Sequence, residues 1–141
     1  MLTLMLGLGL AFVGSAQPSA ETRCLGYEPA VVKLTGTLTR ETFPGPPNYE
    51  SVRDGDKPET YLILNLAHPV CVDADKTDTG LNPAQKDIRR VQLVFTGTTG
   101  DAKYKDFVSK EVVATGTLFA AQTGHHHTPV LLTVKNLARI K

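Results

Sequence analysis

The sequence has 141 residues, of which 15 are Lys or Arg and 14 are Asp or Glu, so its formal net charge at neutral pH is +1. Nucleic-acid-binding proteins normally carry a basic stripe, and binding to anionic lipid also needs a basic surface, so this balance argues against both classes. The length is enough for one domain with a single hydrophobic core.

The N-terminal residues are typical of a secretory signal peptide. The run from Leu2 to Val13 is apolar and uncharged, and small residues follow it. A run of this length is too short to span a membrane but suits the core of a signal peptide. We predict a signal peptide over residues 1–16, with residue 20 as the alternative end, and one β-barrel-like domain without a membrane span over residues 17–141. The alternative interpretation is a buried N-terminal helix.

The two cysteines, Cys24 and Cys71, fit an exported protein. Two thiols in an oxidising compartment usually form a disulfide, so we predict that this pair is bonded and that the protein is periplasmic or secreted. A reactive thiol or a metal-binding pair is the alternative, although neither cysteine lies in a CxxC motif.

Five segments alternate apolar and polar residues with the period of two that is typical of half-buried strands. Their alternating positions, in chain order, are Val32, Leu34 and Leu38; Leu62, Leu64 and Leu66; Val91, Leu93 and Phe95; Val113, Thr115, Thr117 and Phe119; and Val130, Leu132 and Val134. Residues 69–73 would extend the second strand.

Two short helical pieces are predicted between these strands. Asn82 followed by Pro83 is typical of a helix start and predicts a turn through Asp87. Asp101 would cap a second short helix, with Tyr104 on its apolar face, between strands three and four. The resulting order predicts an all-β, five-stranded, OB-like Greek-key barrel, with a β-sandwich as the alternative.

The string TGTL occurs twice, at residues 35–38 in the first strand and 115–118 in the fourth. A glycine inside a strand often marks a bulge or a sharp bend, so Gly36 and Gly116 are expected to bend neighbouring strands of the barrel. Coincidence in a threonine-rich β protein is the alternative.

Three strings carry a resemblance to a known family. They are FPGPPNYESVRDGDKPE (residues 43–59), PVCVD (69–73) and TGHHHTPVLLTV (123–134). They resemble those of a family of small secreted bacterial proteins that is catalogued as a domain of unknown function. The resemblance implies a shared fold and secretion, and it carries over no activity.

The loops over residues 40–60 and 122–128 are the candidate binding region, because the corresponding loops flank the ligand-binding face of OB-folds. In the first loop Tyr49, Glu50 and Arg53 are the candidate contacts. The alternative for this loop is a solvated segment packed by its own prolines and tyrosine.

The second loop contributes His125, His126 and His127 as candidate ligand-binding residues. In an extended backbone His125 and His127 point to one side, where two imidazoles and a carboxylate from the first loop would bind Zn²⁺ or Cu²⁺. The alternative is that one or two of these histidines bond the backbone of a tight hairpin. No other cofactor is expected.

No serine elbow, HExxH motif or glycine-rich phosphate loop is present, so the sequence gives little support to an enzyme. The predicted function is a non-catalytic binding protein whose partner is an envelope protein or a cell-wall ligand, for example an immunity protein against a secreted toxin. A metal-binding envelope accessory protein and an envelope hydrolase are the alternatives.

Overall fold

The computed structural model describes residues 23–97 and 100–141. Five strands make up most of this part of the chain: β1 (Val31–Pro44), β2 (Pro58–Val72), β3 (Gln85–Val94), β4 (Glu111–Ala120) and β5 (Val130–Arg139). Between β3 and β4 lie a short helix, α1 (Gly100–Lys103), and a 3₁₀ turn (Lys105–Phe107), and a second 3₁₀ turn (Val52–Asp54) follows β1. The predicted signal peptide, whether it ends at residue 16 or 20, lies outside the described residues.

The strands close into a barrel in the order β1–β2–β3–β5–β4, and β4 returns to pair with β1. The contact between β3 and β5 is parallel, and the other four pairings are antiparallel. The predicted all-β fold with five strands and a short helical segment between the third and fourth is therefore confirmed.

The barrel is filled by the side chains that the period-two pattern points inward. In β1, Val32, Leu34 and Leu38 are buried, whereas the intervening Lys33 and Thr35 are exposed. Inward side chains of all five strands join Tyr27 and Tyr104 in one apolar cluster. Each fully buried Leu or Val contributes about 1.5–3 kcal/mol, so this cluster fixes which face of every strand points inward.

The two glycines of the repeated string lie where backbones approach closely. A Cβ atom on Gly36 would be 2.1 Å from the carbonyl oxygen of Asn65, and one on Gly116 would be 2.0 Å from that of Thr133. The register between β4 and β5 shifts between Thr115 and Gly116, which confirms the irregularity expected there. Gly36 and its neighbour Thr37 belong to both ladders of β1, the one with β4 and the one with β2.

The predicted limits of the first loop are wrong. β1 continues to Pro44 and β2 begins at Pro58, so the connection covers residues 45–57 rather than 40–60. The extension of the second strand is confirmed, because β2 reaches Val72 with irregular pairing to β3 near its end.

The helical turn predicted to begin at Asn82 is also wrong, because β3 begins at Gln85. The Asn82 side-chain oxygen instead accepts a hydrogen bond from the backbone N–H of Ala120 at 3.1 Å. Asn is a residue type that often caps helices, but here its side chain bonds a backbone N–H at the end of β4. This contact is between residues far apart in the sequence, so only the tertiary structure shows it.

The predicted disulfide between Cys24 and Cys71 is present. Beside it, the Leu25 N–H donates to the Cys71 carbonyl at 2.8 Å, and the Asp73 N–H donates to the Leu25 carbonyl at 2.9 Å. The N-terminal segment is therefore fastened to the end of β2 by one covalent bond and a short parallel bridge. Within residues 23–97 and 100–141, no helix is long and apolar enough to cross a membrane.

Candidate functional site

The two loops predicted to flank the binding region contact each other on the outer surface of the barrel. We call their shared surface the loop face. It comprises the loop over residues 45–57, the loop over residues 121–129, and the side chains of Phe43, Glu59 and Tyr61 beside them. Phe43 and Glu59 are register partners in the β1–β2 hairpin, and Tyr61 is the next residue of β2 on the same side. Strand alternation places these three side chains opposite the core.

A buried carboxylate organises the first loop. Asp56 is 4% exposed and accepts hydrogen bonds from the backbone N–H groups of Asn48 (2.8 Å), Glu50 (2.8 Å) and Ser51 (2.9 Å). The bonds from Ser51, Glu50 and Asn48 hold the pKa of Asp56 below its usual range, since they favour the ionised carboxylate. The loop is therefore shaped by its own interactions.

Tyr49 reaches from the first loop to the second. Its backbone has a φ of 59°, in the left-handed region, and its N–H donates to the Gly45 carbonyl at 2.9 Å. Its ring lies against Gly124, where an added Cβ would be 3.0 Å from three ring atoms. Because residue 124 has no side chain, the Tyr49 ring can pack directly against the second loop.

His125 connects Tyr49 to Glu59. The His125 Nδ1 is 2.8 Å from Glu59 Oε2, and its Nε2 is 3.1 Å from the Tyr49 hydroxyl. With the proton on Nδ1 facing the carboxylate, Nε2 accepts the hydrogen bond of Tyr49. The Tyr61 hydroxyl also donates to Glu59 Oε2, at 2.9 Å. The bond from His125 first, and then that from Tyr61, lower the pKa of Glu59.

His127 packs flat on the hairpin. Its ring lies parallel to that of Phe43, with centroids 4.1 Å apart and an interplanar angle of 4°. Burial lowers the pKa of His127, so the neutral imidazole is favoured. Its Nε2 is buried and has no hydrogen-bond partner within the described chain. His127 therefore contributes a mostly apolar contact to the loop face, and its Nε2 makes no hydrogen bond within the described chain.

His126 points away from the hairpin and shapes its own loop. Its Nδ1 accepts hydrogen bonds from the backbone N–H groups of Gln122 (2.8 Å) and Thr123 (3.3 Å), and its ring meets the Phe119 ring edge-on. Burial lowers the pKa of His126. His126 thus points to the opposite side of the loop from His125 and His127, as predicted. The alternative interpretation, in which a histidine bonds the backbone of its own loop, also holds for His126.

Gln92 holds the second loop from below, and sequence reasoning missed it. The side chain is buried at 2% exposure; its Nε2 donates to the His125 carbonyl at 2.9 Å and its Oε1 accepts from the His127 N–H at 2.7 Å. The Gln92 backbone N–H donates to Thr128 Oγ1 at 2.9 Å. In the sequence Gln92 occupies a polar position of an alternating strand, so nothing distinguished it from a solvent-facing residue.

The other two predicted contacts lie on the same loop face. Glu50 and Arg53 are exposed in the first loop, and neither side chain forms an ion pair or hydrogen bond with the part of the chain that the structure describes. The carboxylate that meets the histidines is Glu59. Glu50 and Arg53 thus add two exposed charged groups to the loop face.

The predicted metal site has two candidate histidines but no clear third ligand. No group of three His, Cys, Asp or Glu side chains within residues 23–97 and 100–141 is placed to hold a metal ion. Both ring nitrogens of His125 already face Glu59 and Tyr49. Metal binding by His125 and His127 therefore stays a prediction, and it would require His125 to give up at least one of these contacts.

No curated protein matches the chain. A family model covers the segment from within β3 to residue 141, which includes Gln92, His125, His126 and His127 but not the first loop. Residues 90–141 match the family described as a domain of unknown function (DUF4431), which confirms the predicted resemblance to a family of unknown function.

Proposed function

We propose that this protein is a non-catalytic binding protein of an oxidising envelope compartment, periplasmic or secreted, that holds a partner on its loop face. The observation that carries the proposal is the connection Tyr49–His125–Glu59, which joins the two loops into one surface. Loops that a rigid scaffold positions are where binding residues concentrate.

Preorganisation supports binding as the role of this surface. Asp56 fixes the first loop through three backbone hydrogen bonds, and Gln92 fixes the second through two. A surface ordered before the encounter loses less conformational entropy when a partner docks, so more of the contact energy is available as affinity.

The exposed side chains favour a protein as the partner. Val52 is 44% exposed, and it precedes Arg53 in the same loop that carries Tyr49. Tyr and Arg are the residue types that are enriched at protein–protein hot spots, and an exposed aliphatic side chain in the same loop adds apolar area. An envelope protein, such as a secreted toxin that this chain would neutralise, is therefore preferred over a cell-wall oligosaccharide.

The disulfide supports the compartment. Cys24 and Cys71 are bonded, and stable disulfides are rare where glutathione and thioredoxin keep thiols reduced. The apolar N-terminal segment of the sequence is consistent with export to such a compartment.

The test is a capture experiment with matched variants. Immobilised protein is exposed to envelope extract, and captured proteins are compared for the wild type, for Tyr49→Ala with Arg53→Ala, and for the control Lys33→Ala with Asn136→Ala. The control removes exposed side chains of β1 and β5, away from the loop face. We expect one protein to be retained by the wild type and the control and reduced by about tenfold or more on the loop-face variant.

Equal capture of that protein by both variants would show that the loop face is not the binding surface. Sedimentation with purified cell-wall sacculi is the parallel measurement. Binding to sacculi that the loop-face variant loses would replace the protein partner with an oligosaccharide.

Metal binding is the first alternative, favoured by His125 and His127 facing the same hairpin. Titration with Zn²⁺ and Cu²⁺, followed residue by residue by NMR, tests it. A stoichiometric response centred on both histidines, and abolished by His125→Ala with His127→Ala, would support this alternative. No response below millimolar metal would remove it.

A hydrolase is the second alternative. A hydroxyl, an imidazole and a carboxylate in sequence, here Tyr49, His125 and Glu59, have the connectivity of a nucleophile, its base and the group that orients the base. Tyr49→Phe separates this alternative from binding, since it removes the hydroxyl and keeps the ring. Turnover of an envelope substrate that Tyr49→Phe abolishes would establish an enzyme. The binding function predicts that Tyr49→Phe still captures the partner, because the ring keeps its contacts with Gly124 and the His125 ring.

A further inference from the structure

A cavity of about 480 Å³ lies outside the loop face, between the β1–β2 hairpin and the helical segment that joins β3 to β4. It is lined by Arg40, Leu62, Ala102, Lys105 and Val108. None of these residues belongs to the loop face, so an occupant of this cavity would not compete directly with a partner bound there. The volume lies within the range of about 300–1,000 Å³ that is usual for small-molecule sites.

The walls of the cavity are held in place from both sides. Arg40 and Leu62 are register partners across β1 and β2, and Leu62 is buried. On the other side, Tyr104 is part of the core cluster and Val108 packs against it. The cavity is therefore a gap between two anchored elements.

Two hydrogen bonds tie the end of the helical segment to β1. The Ser109 N–H donates to the Leu38 carbonyl at 2.7 Å, and the Leu38 N–H donates to the Lys110 carbonyl at 3.0 Å. They fix the position of Val108 relative to the hairpin, so the shape of the cavity exists before any ligand binds.

Two cations, Arg40 and Lys105, line this apolar cavity. Neither Arg40 nor Lys105 forms an ion pair with any carboxylate whose side chain the structure describes. Two other arginines, Arg89 and Arg90, are by contrast paired with Asp87 and Glu41. The cavity therefore combines positive charge with apolar surface. This combination is complementary to a molecule with an anionic head and an apolar body.

We propose that the cavity binds a free medium-chain alkyl carboxylate. The alkyl chain would lie against Leu62, Ala102 and Val108, and the carboxylate would lie between Arg40 and Lys105. The planar guanidinium of an arginine can donate two parallel hydrogen bonds to a carboxylate, and a lysine adds a second charge-assisted donor.

The test is an NMR titration of the disulfide-bonded protein with decanoate, kept below its micelle concentration. Two ligands of the same chain length serve as controls: 1-decanol, which has no charge, and decyltrimethylammonium, which has the opposite charge. We expect saturable shifts at Leu62, Ala102 and Val108 with decanoate. Binding of 1-decanol should be weaker by about tenfold or more, because a charge-assisted hydrogen bond is lost.

Variants connect the shifts to the cavity. Arg40→Gln and Lys105→Gln should each weaken decanoate binding by about tenfold, and Lys33→Gln, which removes an exposed lysine elsewhere on β1, should leave it unchanged. Ala102→Phe keeps both charges and fills the space of the alkyl chain, so it should abolish binding.

Several results would overturn the proposal. Equal affinity for decanoate and decyltrimethylammonium would mean that the charges do not select the ligand. Shifts centred outside the cavity, no saturable binding of decanoate, or full binding by a folded Ala102→Phe variant would each exclude this cavity as the site. The amide spectrum of every variant reports whether the barrel is folded, so a loss of binding is interpreted only with an intact spectrum.

Discussion

Replacement of Gln92 by Leu should loosen the second loop while the barrel stays closed. Gln92 is 2% exposed, and its side chain makes two hydrogen bonds, to the His125 carbonyl and from the His127 N–H. A leucine of similar size keeps the packing but cannot make either bond. At a net contribution of about 1 kcal/mol for each bond, the variant should lose about 2 kcal/mol of unfolding free energy.

Urea unfolding followed by circular dichroism measures this loss. With a denaturant dependence of about 2 kcal/mol per molar urea, the midpoint should fall by about 1 M. Gln85→Leu is the matched control, since Gln85 begins β3 and its side chain makes no hydrogen bond within the described chain. The control should stay within about 0.5 kcal/mol of the wild type.

Hydrogen exchange locates the effect. The amides over residues 122–128 should exchange faster in Gln92→Leu, because the loop can open without unfolding of the barrel. Two results would refute the reasoning: a Gln92→Leu variant as stable as its control, or a destabilised variant whose loop amides keep the wild-type exchange rate. Either would mean that Gln92 does not hold this loop.

Three further predictions concern the disulfide, the histidine ring and the strand glycines. Cys24→Ser with Cys71→Ser should cost about 4 kcal/mol in urea unfolding, because the bond closes a loop with a sequence separation of 47; a loss below about 1 kcal/mol would contradict the chain-entropy argument. Thermal stability should fall as the pH drops below about 6.5, since burial lowers the pKa of both His126 and His127 in the folded state and the unfolded histidines gain protons that the folded rings resist. His127→Phe should make this dependence shallower, and an equally steep loss in the variant would argue against a contribution from His127. Gly116→Ala should cost about 1–3 kcal/mol by calorimetry because its Cβ would meet a β5 carbonyl, whereas Gly80→Ala, with open space around it, should be nearly neutral; equal effects would contradict the close approach.

The strands could be predicted from the sequence because alternation of apolar residues is a local signal that burial enforces. Val32, Leu34 and Leu38 point inward as their spacing indicates. The limits of the first loop could not be predicted, because β1 and β2 continue into a hairpin whose outward side chains, such as Phe43 and Tyr61, are covered by another loop. The polar–apolar pattern that marks a strand is lost wherever the outer side is also covered.

The candidate site was predictable as two loops but not as a set of contacts. The histidines and Tyr49 stand out in the sequence by residue type, and fold analogy indicated that their loops would be neighbours. The pairing of His125 with Glu59 spans 66 residues, and the support from Gln92 to His127 spans 35. Contacts at such separations depend on register and loop path, which are set by the packing of the whole barrel.

The β3–β5 pairing links partner binding to the stability of the barrel. These strands share three register pairs, whereas β1 and β2 share nine, so the ring is joined most weakly at this seam. Thr128 reinforces the seam: its hydroxyl accepts the Gln92 N–H and donates to the Val130 carbonyl, and so acts as an extra rung. Thr128 belongs to the same loop as His125. A partner that binds this loop would therefore also stabilise the β3–β5 pairing. Its binding would then slow the opening motions of the entire barrel.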